Sequence, residues 1–143
     1  MAAVAVLMWS VPAAAAAPND DAVDRMVDAV NKARADHGLR PMRAAPALTG
    51  SSQRFSHWLM SHDTFAHAAT IDAGPGFSML GEALAMHTGR RWDVGMTVRQ
   101  WLGSPSHRAL VLTHSMRLVG AGVTRGRFGG GPATIWVLRV GRR

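Results

Sequence analysis

The chain contains no cysteine. That absence removes a disulfide framework, thiolate metal sites and a cysteine nucleophile together. A domain of this length can bury enough surface to stand without covalent staples, so secretion stays open. Lysine is reduced to Lys32 and glutamate to Glu82, against fifteen arginines and eight aspartates. Arginine excess with scarce lysine reflects a GC-rich genome, and against that bias an isolated glutamate is a position to follow. No basic run exceeds two residues, and the positive charges are spread along the chain. The net charge of +7 therefore describes a solvated basic surface rather than a nucleic-acid-binding tract, and no specific nucleic-acid partner is expected.

At 143 residues and 48% hydrophobic, the chain reads as one domain, too apolar for disorder. Its first segment differs from the rest. Residues 2–17 (AAVAVLMWSVPAAAAA) are uncharged and end in small residues that offer A-x-A cleavage sites. The stretch is shorter than the roughly 20 residues a spanning helix requires. The expectation is a signal peptide over 1–17 and a mature domain over 18–143, with no transmembrane segment and an extracellular or cell-envelope location.

Within the mature chain, Asn19, Asp20 and Asp21 start a helix whose apolar face is Val23, Met26, Val27 and Val30. Gly38 ends it, with Leu39 folding back and Pro41 barring continuation. A second helix is expected from Pro46, with Leu48, Phe55, Trp58 and Leu59 as its core face. Residues 63–80 read as loop. A third helix runs from Asp93, its cap, to Leu102, and a short one follows, capped by Ser104 with Pro105 in its first position. Two β-like runs, Leu118 to Thr124 and Ala133 to Val140, are joined by the glycine-rich RGRFGGG as a hairpin. The class is α+β, with helices covering an antiparallel sheet.

The seven histidines invite a metal reading that most spacings do not support. His57, His62 and His67 are five apart, which turns each about 140° from the last on a helix. His37 suits a helix C-terminus, and His87 and His114 are expected at the surface. Three polar positions stand apart because each lies among apolar residues at an element boundary: His67 in TFAHAAT, Glu82 in SMLGEALAM and His107 in GSPSHRALVL. A glutamate so placed needs a partner if its neighbours pack inward. Two imidazoles and one carboxylate also suit a borderline divalent ion. They equally suit a buried hydrogen-bonded cluster, and the imidazole–carboxylate pair suits general-base chemistry.

The chain resembles the CAP superfamily of cysteine-rich secretory proteins, insect-venom allergens and plant pathogenesis-related proteins, in its bacterial, cysteine-free SCP-like branch. The likeness covers residues 22–141. VNKARADHGLRPMRAAPALTGSSQ is similar to the branch's first two helices and connector, TFAH to its FSH motif, and GEALA to its GEN-I/L-A motif. WLGSPSHRALVL is similar to its W-x-x-SPGHR-x-NIL motif, and RLVGAGV and TIWVLRVG to its paired C-terminal strands. Ala83 and Leu110 stand where the family has asparagines.

The resemblance implies an α–β–α sandwich with a cleft in which His67, Glu82 and His107 hold a divalent cation, zinc foremost. It implies a secreted binding or envelope-interaction protein with a small polar or lipidic ligand; the arginines, apart from the resemblance, point to a third reading, a wall-associated module held to an anionic cell-wall polymer. The alternative is a metal-assisted hydrolase, peptidase or nuclease, using the same cleft with Glu82 as general base.

Overall fold

The computed structural model describes residues 18–91 and 93–143. The expected leader over 1–17 lies outside the described residues. The helices are α1 (Pro18–Asp36), α2 (Pro46–Ser61), α3 (Val94–Gly103) and α4 (Pro105–Val111). The strands are β1 (Arg43–Ala44), β2 (Met79–Thr88), β3 (Leu118–Phe128) and β4 (Gly131–Arg142), in the sheet order β1-β3-β4-β2. The three long strands are antiparallel, as expected; the two-residue β1 adds a parallel pair at the edge of β3, so the sheet is mixed. Helices α1, α3 and α4 cover one face and α2 the other.

Local chemistry accounts for the element ends. Gly38 has φ of 69°, and the amides of Gly38 and Leu39 return to the carbonyls of Ala35 and Arg34 at 2.9 Å each, a Schellman stop. Asp93 caps α3 by accepting the Met96 amide at 2.8 Å. Pro105 does open α4, but Ser104 in the cap position contributes no side-chain bond, so that expected cap is not made. The β3–β4 turn places Gly129 and Gly130 at φ of 56° and 84° between the paired Phe128 and Gly131, the two-residue geometry that requires positive φ twice.

Strand β2 has none of the signals that announce β3 and β4. Its sequence MLGEALAMHT is rich in helix formers, and full antiparallel pairing with β4 overrides that preference. Its phase sends Ala83 and Ala85 into the main core, with Val119, Ala121, Trp136 and Leu138. Leu84 goes the other way, to Leu59, Ile135 and Val137 under α2. The same phase buries His87, which was expected at the surface. Its Nε2–H donates to the Thr97 hydroxyl at 2.8 Å, because that hydroxyl already donates to the Asp93 carbonyl.

Helix α2 lies unusually close to β3. A Cβ on Gly120 or Gly122 would fall inside the backbone of Leu48–Thr49 or Ser52–Gln53. Only small side chains fit such a contact, so Ser51, Ser52 and Ser56 occupy the buried face beside Leu48, Leu59 and Met60. Trp58, expected in the core, is instead turned outward and 45% exposed. Gln53 completes the contact, donating to the Val123 carbonyl and accepting its amide, both at 3.0 Å, where β3 has run past β1.

Two outcomes follow. Gly122→Ala should cost about 1–3 kcal/mol or more, because backbone rather than a flexible side chain must yield; urea denaturation measures it. Burial pushes His87 below its ordinary 6.5, with Asp93 opposing. The unfolded chain then binds more protons there, so the stability it contributes is present above pH 6.5 and is lost as pH falls toward the lower folded value. The urea midpoint should drop across that window, and His87→Gln should flatten the dependence.

Candidate functional site

Glu82 stands on the α2 side of β2, directly opposite Arg139 in the register of β4. Its side chain is 4% exposed and that of Arg139 is 3% exposed. Arg139 donates to Oε2 through Nε at 3.0 Å and Nη2 at 2.7 Å. Oε1 accepts the Ala68 amide at 3.0 Å and His67 Nδ1–H at 3.0 Å. A carboxylate has about four lone-pair positions, and these four donors use them all. Arg139 spends its remaining Nη1 on the Ser51 carbonyl at 3.1 Å and on the Ser51 hydroxyl, and its guanidinium lies over the Phe55 ring at 4.8 Å. Ser51 in turn donates to the Asp72 carbonyl. One buried ion pair therefore joins β2, β4, α2 and both ends of the 67–72 segment.

The three residues singled out in the sequence come together, but unequally. His67 and His107 face each other with ring centres 6.3 Å apart and planes tilted by 48°. His67 comes from the loop after α2, with its side chain 60% exposed, and His107 from the first turn of α4. Burial, and secondarily His67, pushes His107 below its ordinary 6.5, which favours its neutral form. Because His67 Nδ1 serves Glu82, its Nε2 is the nitrogen left for the cleft. This carboxylate–imidazole arrangement is the one that orients metal-binding histidines from behind.

The donor set can be weighed against the cation on that geometry. Among the described residues no three His, Cys, Asp or Glu side chains are grouped to hold a metal ion. The two imidazoles fit a borderline ion such as zinc, but Glu82 does not fit as a ligand, having no acceptor position left. Two protein ligands are one fewer than catalytic zinc sites keep, so such a pair implies weak binding completed by water or by a ligand's own oxygens.

The residue that sequence reasoning missed is Arg139. The signal was present: ATIWVLRV places one charge inside an otherwise apolar strand, which demands a buried counter-charge. Beside it opens a groove of about 460 Å³, lined by Arg54, Phe55, Trp58, the 68–70 segment and Asp72. Phe55 and Trp58 are stacked with ring centres 5.9 Å apart, and Trp58 stacks on His62 at 4.5 Å. The asparagine replacements also gain a role here. Ala83 is fully buried, and Leu110 lies over Gly81 where a Cβ would otherwise stand, so α4 meets β2 through apolar contact.

A sheet covered by three helices on one face and one on the other defines an α–β–α sandwich. Residues 27–140 match the family described as CAP, the cysteine-rich secretory protein family, and the chain belongs to it. No curated protein matches the chain. Among solved structures it is similar to an outer surface protein from Borrelia burgdorferi, at 18% identity and a TM-score of 0.69, covering 84% of this chain and 91% of that one. It is similar at 17% identity and a TM-score of 0.69 to an extracellular SCP-domain protein from Bacillus anthracis, covering 92% of this chain and 45% of that one. Venom allergen-like protein 4 from Schistosoma mansoni matches at 11% identity and a TM-score of 0.63, covering 85% of this chain and 89% of that one. At these identities the likeness is one of fold.

Removing either member of the Glu82–Arg139 pair should cost about 3–5 kcal/mol, because the other charge stays buried without its partner. Arg139→Met with Glu82→Leu together should recover most of that loss. Urea denaturation of the two single variants and the double variant gives the coupling directly.

Proposed function

We propose that the chain is an extracellular or envelope-associated binding protein, and that its ligand lies in the groove beside Trp58 and the adjoining cleft between His67 and His107. One observation carries this reading over hydrolysis: every acceptor position of Glu82 is already occupied. A general base needs a lone pair within reach of the proton it takes, and Glu82 is committed to Arg139, Ala68 and His67. Its task in this reading is to fix the tautomer and direction of His67.

The groove favours a small amphiphilic ligand. Phe55 and Trp58 supply an apolar platform, and Arg54 and Asp72 supply polar groups at its edge. A divalent ion, when bound, would supply a positive charge for a ligand oxygen, held by His67 and His107 with Glu82 behind. None of the large apolar side chains of the groove requires that ion, so ligand and cation are separable.

Tag-free protein titrated with zinc should bind about one equivalent weakly, and the His67→Gln, His107→Gln double variant should lose it. Unchanged zinc uptake in that variant removes the site. Chelator-sensitive hydrolysis of a peptide or phosphodiester by the wild type, lost in the same variant, would overturn the binding reading in favour of an enzyme.

A further inference from the structure

Arg34 is completely buried near the end of α1, and among the described residues no carboxylate pairs with it. Its Nε donates to the Arg40 carbonyl at 2.9 Å and its Nη1 to the carbonyls of Val111 and Thr113 at 2.8 Å each, while Nη2 has no partner. These bonds clamp the end of α1 and its connector against the turn after α4. Further contacts complete the junction. The Arg43 amide donates to the Arg117 carbonyl at 2.8 Å, and Arg117 donates to the carbonyl of His114. Arg108 Nη2 donates to His37 Nε2 at 3.2 Å, which that nitrogen accepts because Nδ1–H is committed to the Ala33 carbonyl at 2.7 Å.

The consequence is a concentration of one charge sign. Segments 33–44 and 105–118 bring Arg34, Arg40, Arg43, Arg108 and Arg117 together with His37 and His114, and contain one acid, Asp36. That acid is taken by Lys32 at 2.9 Å. Among the described residues none of the five arginines forms an ion pair with a carboxylate. Arg40, Arg43, Arg108 and Arg117 are exposed, as are both histidines. Burial, and secondarily the Arg117 guanidinium, disfavours the charge of Arg34. A surface that gathers exposed like charges without carboxylate partners is complementary to a multivalent anion.

We propose that this basic end binds the phosphodiester backbone of a linear anionic polymer that lacks bases, such as a poly(glycerol phosphate). Arginine forks match phosphate oxygens, and several arginines spaced over two segments suit a repeating charge rather than one small ion. The exposed large apolar side chains among the described residues are Trp58, Phe65, Met79 and Met86, and none lies in either segment. The patch thus has neither the wedge that seats a protein in a bilayer nor the aromatic platform that stacks bases. The inference does not rest on what the cleft holds.

The test compares two triple variants of equal charge. Arg40→Gln, Arg108→Gln, Arg117→Gln removes patch charge; Arg90→Gln, Arg99→Gln, Arg142→Gln removes three exposed arginines elsewhere. Binding to immobilised poly(glycerol phosphate) is followed over a salt series. The patch triple should lose about tenfold or more in affinity at low salt and show a shallower salt slope, while the control triple should change by less than about threefold. Zinc uptake should be the same in both, which separates this surface from the cleft. If the patch triple does not fold, Arg40→Gln against Arg90→Gln makes the same comparison. Equal losses in both variants, absence of salt-sensitive binding by the wild type, or tighter binding to single-stranded DNA or to anionic vesicles would each overturn the assignment.

Discussion

A single buried ion pair organises this molecule. Burying Glu82 and Arg139 is tolerable only because nearly every polar atom of both is hydrogen-bonded; a half-satisfied pair would cost more than an apolar replacement. The partners come from elements distant in sequence, so satisfying the pair fixes tertiary structure. Arg139 draws in the Ser51 turn of α2, and Glu82 draws in the loop at residues 67 and 68. That loop has no regular structure; the pair holds its His67–Ala68 end, while Ile71 and Ala73 pack beside Leu48 at the other. Functional geometry and fold stability are thus carried by the same atoms.

Close packing sets the rest. Glycines at 120 and 122 let α2 approach β3 until serines rather than leucines fill the contact. Trp58 stands about 100° round the helix from buried Leu59, at the margin of that contact, and so faces outward into the groove. Gln53 belongs to the same economy, supplying by side chain the ladder partners that the two-residue β1 is too short to provide.

Much of this was legible in the residues. Asn19–Asp21, Gly38, Pro46, Asp93, Pro105 and the triple glycine mark their elements by backbone chemistry that does not depend on the rest of the chain. Family motifs singled out His67, Glu82 and His107, and the structure sets His67 beside both Glu82 and His107. What was not legible depends on tertiary context. Strand β2 is written in helix-forming residues, so its existence, its phase and the burial of His87 become visible only with β4 beside it. Trp58 was misplaced because it sits about 100° round the helix from Leu59, at the margin of the buried stripe rather than in it. Arg139 was readable in principle, since a charge inside an apolar strand and the chain's only glutamate call for each other.

The burial of that glutamate also changes how the net charge should be read. Glu82 is neutralised internally by Arg139 and adds nothing to the external field. Of the eight aspartates, five lie on α1, and four of these, Asp20, Asp21, Asp24 and Asp28, precede its last two turns. Acids near a helix N-terminus and bases near its C-terminus each oppose the local helix dipole, so α1 is stabilised by a gradient of charge along its length. The gradient ends where α1 meets the turn after α4, and there Arg34 is inserted without a carboxylate. Within a chain whose arginines are otherwise spread out, α1 thereby has an acidic start and a basic junction beyond its end. Helix α4 lies between the two candidate surfaces, with His107 turned to the cleft and Arg108, one residue later, turned to His37 at the basic end. Seven residues suffice to separate the two surfaces, because neighbouring positions on a helix point about 100° apart.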